Sequence, residues 1–323
     1  MQTMTQTDPS MHDQRTATGA PLALLLALTA TLVTGCSDTA ANDPGQVPTN
    51  TTQDACGFAV AAAATIDISE RSDVWHDGFY ARVEAQTGAG SEPNVHAVVV
   101  EAANCRLLEL MYGECTSACA ADEVCQSTGE CAAEPEGLAA GTLRVSGLAD
   151  AVAIESQSWS PGRYDSPSLL SADLFREGDT VQASLAGADF PGLILGARGV
   201  ASMDPALTAS GYVLTDGEDA RLTWTPGPDP DACVSVTLKG RNAVHGAPLG
   251  SVIECFGPDT GSLTIPQAIV EAFPTGETPE VTNGYDWPHS ELTRYTRTSL
   301  DTEHGPAVLT VRSTTYFQMS HPD

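Results

Sequence analysis

Along most of the chain, apolar side chains fall at every second position. That spacing puts alternate residues on opposite faces of a β-strand. In FYARVEA, Phe79, Ala81, Val83 and Ala85 share one side, while Tyr80, Arg82 and Glu84 take the other. TLRVSG sets Leu143 with Val145, and VQASLAG sets Val181 with Ala183 and Leu185. ARLTWTPG turns Leu222 and Trp224 inward, and CVSVTLKG aligns Val234, Val236 and Leu238. AVLTVRSTTYF continues the alternation near the end, and HAVVVEA predicts a more buried strand. Asp216-Gly217 and the cluster TPGPDPDA carry turn chemistry. One short helix is predicted in LTIPQAIVEAF, with Thr264 as N-cap, Pro266 in the first turn and Gln267 at the capping-box position.

The pattern predicts an all-β protein. The 323 residues, punctuated by 29 glycines and 21 prolines, suit two antiparallel β-sandwiches, one over 55–200 and one over 201–323. The second resembles a fibronectin type III or immunoglobulin-like module. RLTWTPGPDPDACVSVTLKG looks like its Trp-bearing strand, turn and next strand. This resemblance covers strand pattern only and carries no functional residue.

One apolar run breaks the strand rhythm. Leu22 to Val33 is twelve residues long, too short for the roughly 20 that a spanning helix needs. It reads as the core of an export signal. Where that run ends stand Val33, Thr34, Gly35 and Cys36. They resemble the lipobox of bacterial lipoproteins. The resemblance implies a signal peptide over 1–35, cleavage before Cys36 and a diacylglycerol on the Cys36 sulfur, with the new amine acylated (palmitate being the usual chain). Ser37 follows, which in enterobacterial sorting favours the outer membrane. Residues 36–54, rich in Pro, Gly, Asn and Thr, read as a disordered tether. An export signal begins with net positive charge, yet residues 1–21 hold Asp8, Asp13 and only Arg15, so Met11 is the expected start. As a whole the chain looks like the many β-rich envelope lipoproteins of Gram-negative bacteria.

Charge narrows the partners. The formal net charge is −28, and Lys239 is the single lysine. Nucleic acid is excluded, since phosphate contacts need clustered cations and the arginines are scattered. An anionic bilayer does not attract such a surface, so contact with lipid falls to acylated Cys36. The protein or glycan ligand stays unnamed.

Nine cysteines are an odd set. Setting Cys36 aside leaves Cys56, Cys105, Cys115, Cys119, Cys125, Cys131, Cys233 and Cys255, which all pair in an oxidising compartment. CTSACAADEVCQSTGEC, residues 115–131, has no C-x2-C and no nearby His, so disulfides are expected there and not zinc. It looks like a small EGF- or knottin-like insert without a core. Expected pairs are Cys115–Cys125 and Cys119–Cys131 in the insert, and Cys233–Cys255 and Cys56–Cys105 outside it.

Catalytic signals are thin. Asp259-Thr260-Gly261-Ser262 matches the DTGS of aspartic proteases, in which two aspartates share a proton. There is no second copy, Pro258 replaces a hydrophobic residue, and the tetrad is ordinary turn composition. Asp259 is expected to serve a turn, and its loss to cost at most about 1 kcal/mol. His12, His76, His96, His245, His289, His304 and His321 follow no metal spacing. No metal site and no cofactor are expected. G-x-S-x-G, P-loop and G-x-G-x-x-G motifs are absent. A Ser-His-Asp triad assembled from distant segments stays open, because triads are defined by geometry. Two functional readings result. The first is a lipid-anchored envelope or surface protein that binds or supports and does not catalyse. The second is an envelope-tethered hydrolase with its site at the domain junction.

Overall fold

Residues 56–58, 61–73, 78–89, 96–110, 115, 117–166, 170, 173–203, 212–240, 250–275, 290–317 and 319–322 are described in this computed structural model. The predicted signal peptide, Met11, Cys36, the tether, His12, His76, His245 and His289 lie outside them.

Strands are numbered in chain order. The alternating segments line up in one main sheet. Its order is β10 (Arg163–Asp165), β2 (Gly78–Ala89), β1 (Ala64–Asp73), β19 (Gly305–Phe317), β18 (Ser290–Thr302), β15 (Cys233–Gly240), β16 (Ser251–Pro258), β4 (Cys105–Leu110) and β3 (His96–Ala102). The short β7 (Glu136–Gly137) adds to the end of β2. A second sheet runs β12 (Leu193–Arg198), β11 (Thr180–Leu185), β8 (Leu143–Ser146), β9 (Val152–Ile154). Three ribbons complete the set: β14 (Ala220–Thr223) with β17 (Ser262–Ile265), β13 (Tyr212–Val213) with β20 (Met319–Ser320), and β5 (Glu123–Cys125) with β6 (Cys131–Ala133). The one described helix is α1 (Gln267–Ala272). The protein is nearly all β, as its periodicity predicts.

Two cores sit on one face of the main sheet. Ile66 and Ile68 register with Leu309 and Val311 on one side and with Ala85 and Val83 on the other. With the second sheet's Val145, Val181, Ala183 and Leu195 they close the first core. Farther across the same face, Val236 registers with Leu292 and with Cys255, and Cys255 with Cys105. These residues, with Leu222, Leu263, Ile265 and the helix residues Ile269 and Val270, close the second core.

Residues from within 140–200 cover the first core and residues from within 203–273 the second, while the sheet behind them is shared. β1 pairs in parallel with β19 from the other end of the chain, and β4 pairs with β16. Residue 200 separates the two covers but not the sheet. The β18–β19 hairpin serves both cores: Leu309 and Val311 enter the first, Leu292 and Phe317 the second.

Three local expectations are corrected. HAVVVEA is the edge strand β3, with Val98 45% and Val99 44% exposed. A bulge between Val98 and Val100 interrupts its register with β4, a common feature of protected sheet edges. Thr264 does not cap the helix. It belongs to β17, whose extended backbone continues through Pro266 (φ −61°, ψ 144°), so α1 begins at Gln267. The cap comes from far along the chain, as Gln267 N donates to Asp219 Oδ1 at 2.8 Å. The long-range disulfides are Cys56–Cys233 and Cys105–Cys255, not Cys233–Cys255 and Cys56–Cys105. Strand parity explains the exchange. In the β15–β16 ladder Cys233 faces Pro258 and Cys255 faces Val236, which puts the two sulfurs on opposite faces of the sheet. Cys255 instead stands directly across from Cys105, with Cα atoms 4.1 Å apart.

Candidate functional site

The sharpest catalytic motif in the sequence lies where the two cores meet. β16 ends at Pro258 and β17 starts at Ser262, so Asp259, Thr260 and Gly261 make the turn between them. Gly261 has φ +87°, a conformation that suits glycine. Trp224 N donates to Gly261 O at 3.0 Å, and Asp259 N to Ala232 O at 3.0 Å. The turn is thereby fixed against the loop that follows β14.

The Asp259 side chain is 1% exposed and points inward. Its Oδ2 accepts from Arg294 Nε at 2.7 Å and from Gly227 N at 2.7 Å. Its Oδ1 accepts from Trp224 Nε1 at 2.6 Å. Arg294, 3% exposed, spends its remaining donors on backbone carbonyls. Nη1 reaches Ala201 O and Ser202 O, both at 3.1 Å, and Nη2 reaches Thr225 O at 2.7 Å. Every described partner of the Asp259 carboxylate is a donor. The expected turn residue is thus one half of a buried ion pair, and the estimate of about 1 kcal/mol for its loss is too low, because such a loss strands the other charge.

Arg294 escaped the reading of the sequence. In SELTRYTRT it shares strand parity with Leu292, Thr296 and Thr298, and so looks like one more polar strand residue. In register it stands opposite Val234 and Ser313, on the core face. The one available signal is that an arginine follows a buried leucine at period two. Thr296 continues the same seam and donates through Oγ1 to Arg198 O.

Outside this turn lies a shallow groove of about 290 Å³, lined by Asn104, Asp219, Thr260, Ser262 and Thr264 among others. Its polar groups are mostly engaged. Asp219 caps α1, Arg221 Nη2 donates to Ser262 Oγ at 3.2 Å, and Asn104 Nδ2 donates to Phe256 O. Among the described contacts neither Thr260 nor Ser262 meets a histidine or carboxylate, so no nucleophile and base are paired there.

The described histidines stay apart. His321 is buried, with Nε2 3.2 Å from Asp216 Oδ1 and Nδ1 3.4 Å from Pro274 O. His304 stacks on Phe190 at 5.4 Å between centroids. His96 begins the edge strand β3.

The insert is a hairpin of β5 and β6 with both expected bridges, Cys115–Cys125 and Cys119–Cys131. The bridges are neighbours, so the sulfurs of Cys115, Cys119 and Cys125 lie within 4.8 Å of one another, as do the ligand atoms of Cys119, Glu123 and Cys131. Sulfurs held in disulfides offer no thiolate to a metal. No described residue of 115–131 is buried.

No family model matches the chain, and no curated protein matches it either.

Proposed function

We propose that the protein is a lipid-anchored module of a bacterial cell envelope, held by acylated Cys36, with the outer membrane as its site. It acts through binding or support by its β-rich body. The observation that carries this reading is the cysteine arithmetic. Eight of the nine cysteines form four disulfides, and the ninth is Cys36 of the lipobox-like Val33-Thr34-Gly35-Cys36. Disulfides persist in oxidising compartments, in keeping with export. Two or more acyl chains anchor stably without help from surface charge, which suits a chain of net charge −28. The rival, a hydrolase at the junction of the halves, finds less support. The best catalytic carboxylate of the sequence, Asp259, is engaged by Arg294.

The test is phase partition of the full-length protein expressed in a Gram-negative host. Wild type is expected in the detergent phase with radiolabelled palmitate incorporated. Cys36→Ala is expected in the aqueous phase or as uncleaved precursor. Wild type in the aqueous phase with an unmodified Cys36 thiol overturns the reading.

A further inference from the structure

We propose that the turn carrying Trp159 is a binding platform for a neutral, pyranose-containing glycan. This deepens the binding-module reading by naming a ligand class, and it rests on that reading. Trp159 is 75% exposed, the most exposed large apolar side chain described. Indole is the largest side chain available for contact, and tryptophan is enriched among the residues that carry binding energy at interfaces.

The place is fixed by the backbone. Two tight turns follow one another: Ser160 N donates to Gln157 O at 3.2 Å, and Arg163 N to Ser160 O at 3.1 Å. Gln157 N donates to Arg163 O at 2.9 Å and closes the base. Gly162 N donates to Ser156 Oγ at 2.9 Å, and Gly162 O accepts from Thr87 N at 2.8 Å. Packing allows no slack. A Cβ on Gly162 would lie 2.1 Å from Thr87 O, and one on Gly137 would lie 2.0 Å from Pro161 O. A platform held this way loses little entropy on binding.

Polar groups that suit vicinal hydroxyls stand at the base of the same turn. Asp165 accepts from Gln157 Nε2 at 2.5 Å, Arg163 Nε at 2.9 Å and Arg82 Nη2 at 3.2 Å. Arg82 Nη2 also pairs with Glu84 Oε1 at 2.7 Å. Strand register fixes these neighbours, with Arg163 opposite Gln86 and Asp165 opposite Glu84. Burial alone would raise the Asp165 pKa, but the hydrogen bond and charge of Arg163 and the charge of Arg82 lower it. The side chains of Arg163 and Arg82 are 51% and 43% exposed, so their guanidinium groups reach solvent at the base of the turn that carries Trp159. An aromatic face for the C–H face of a pyranose ring, on a turn whose base carries solvent-exposed guanidinium donors, is the chemistry that holds a sugar. The net charge of −28 repels a polyanionic glycan. Trp159 is the one exposed large apolar residue described in this turn, which gives a bilayer no apolar patch to accept.

The experiment is native electrophoresis of the full-length protein in detergent, through gels with and without dextran, mannan, xylan or galactan. Wild type is expected to be retarded by at least one polymer. Trp159→Ala should weaken that retardation about tenfold, and Trp159→Phe less. Thermal unfolding of all three should coincide, since the side chain is exposed. No retardation of wild type by any of the four polymers, or equal retardation of Trp159→Ala, overturns the platform. A Trp159→Ala protein that binds phosphatidylcholine vesicles less than wild type also overturns it, in favour of a membrane contact. Anchoring through Cys36 is read separately by phase partition, so failure of the platform and failure of the lipid-anchored reading give different results.

Discussion

Asp259 and Arg294 form an ion pair at 2.7 Å, with side chains 1% and 3% exposed, at the point where two hydrophobic cores share one sheet. The pair links four parts of the chain: the β16–β17 turn, strand β18, the loop after β14, and the segment at Ala201 and Ser202 that passes from one cover to the other. Removing one partner leaves a buried charge without its counterpart, which costs roughly 3–5 kcal/mol. Asp259→Asn and Arg294→Met should each lower the unfolding free energy by that amount and shift the urea midpoint down accordingly, without any link to proteolysis at acid pH. The double change Asp259→Leu with Arg294→Met should cost less than the sum of the singles. A single substitution that leaves the midpoint unmoved, or acid protease activity lost in Asp259→Asn while the fold holds, would show that the carboxylate is not a structural partner.

The disulfides predict a definite peptide map. Non-reducing digestion should release Cys56 with Cys233 and Cys105 with Cys255, and no peptide joining Cys233 to Cys255. Cys105–Cys255 spans 150 residues. The chain-entropy model gives at most about 5 kcal/mol for a loop of that length. The Cys105→Ala, Cys255→Ala protein should therefore be markedly less stable to guanidinium than wild type. A linked Cys233–Cys255 peptide would require a different register for β15 and β16.

How much of this was readable beforehand follows from the range of each force. The strands were readable, since alternation is a local property. Val234, Val236 and Leu238 all prove fully buried, as their spacing predicts. Partner choice was not, since the partner of β1 is β19, and Asp67 meets Arg312 across 245 residues of chain. The two long-range disulfides were misassigned for the same reason: nearness in sequence suggested Cys233 with Cys255, whereas parity and register decide. In the insert, where spacing does decide, both pairs were read correctly. Asp259 is legible as a turn residue, but its partner Arg294 is hidden as a polar residue in a polar strand. Trp159 stood between two serines with no periodicity to mark it.

The insert should behave as an appendage. None of its described residues is buried, and its two bridges close only short loops, separated by 10 and 12 residues. Replacing Cys115, Cys119, Cys125 and Cys131 together by Ser should shift the main unfolding transition by no more than about 1 kcal/mol, because exposed positions away from the core rarely matter more. The same protein should become sensitive to proteases between 115 and 131. Global unfolding in the quadruple variant would mean that the insert supports the sheet.

Glu70 predicts a pH dependence whose sign is opposite to the usual one for an acid. It lies on the face of β1 that carries Ile66 and Ile68, and it is buried. Burial raises its pKa above the ordinary 4.5, more than the backbone donors Phe175 and Leu174 lower it, and the charge of Asp173 adds to the rise. Phe175 N donates to Glu70 Oε1 at 3.3 Å. Between 4.5 and its raised native value, the folded protein binds more proton at Glu70 than the unfolded chain does. Stability from this group therefore falls as pH rises through that window, and is recovered on acidification. Glu70→Gln keeps an oxygen for Phe175 N and removes the titration. The variant should exceed wild type in stability at pH 7, and the difference should close as the pH falls toward 4.5. Urea titrations at pH 7, 6, 5 and 4 read this directly. A difference that stays constant, or a variant less stable than wild type at pH 7, would mean that the Glu70 carboxylate is favoured in its charged form by a partner in the fold.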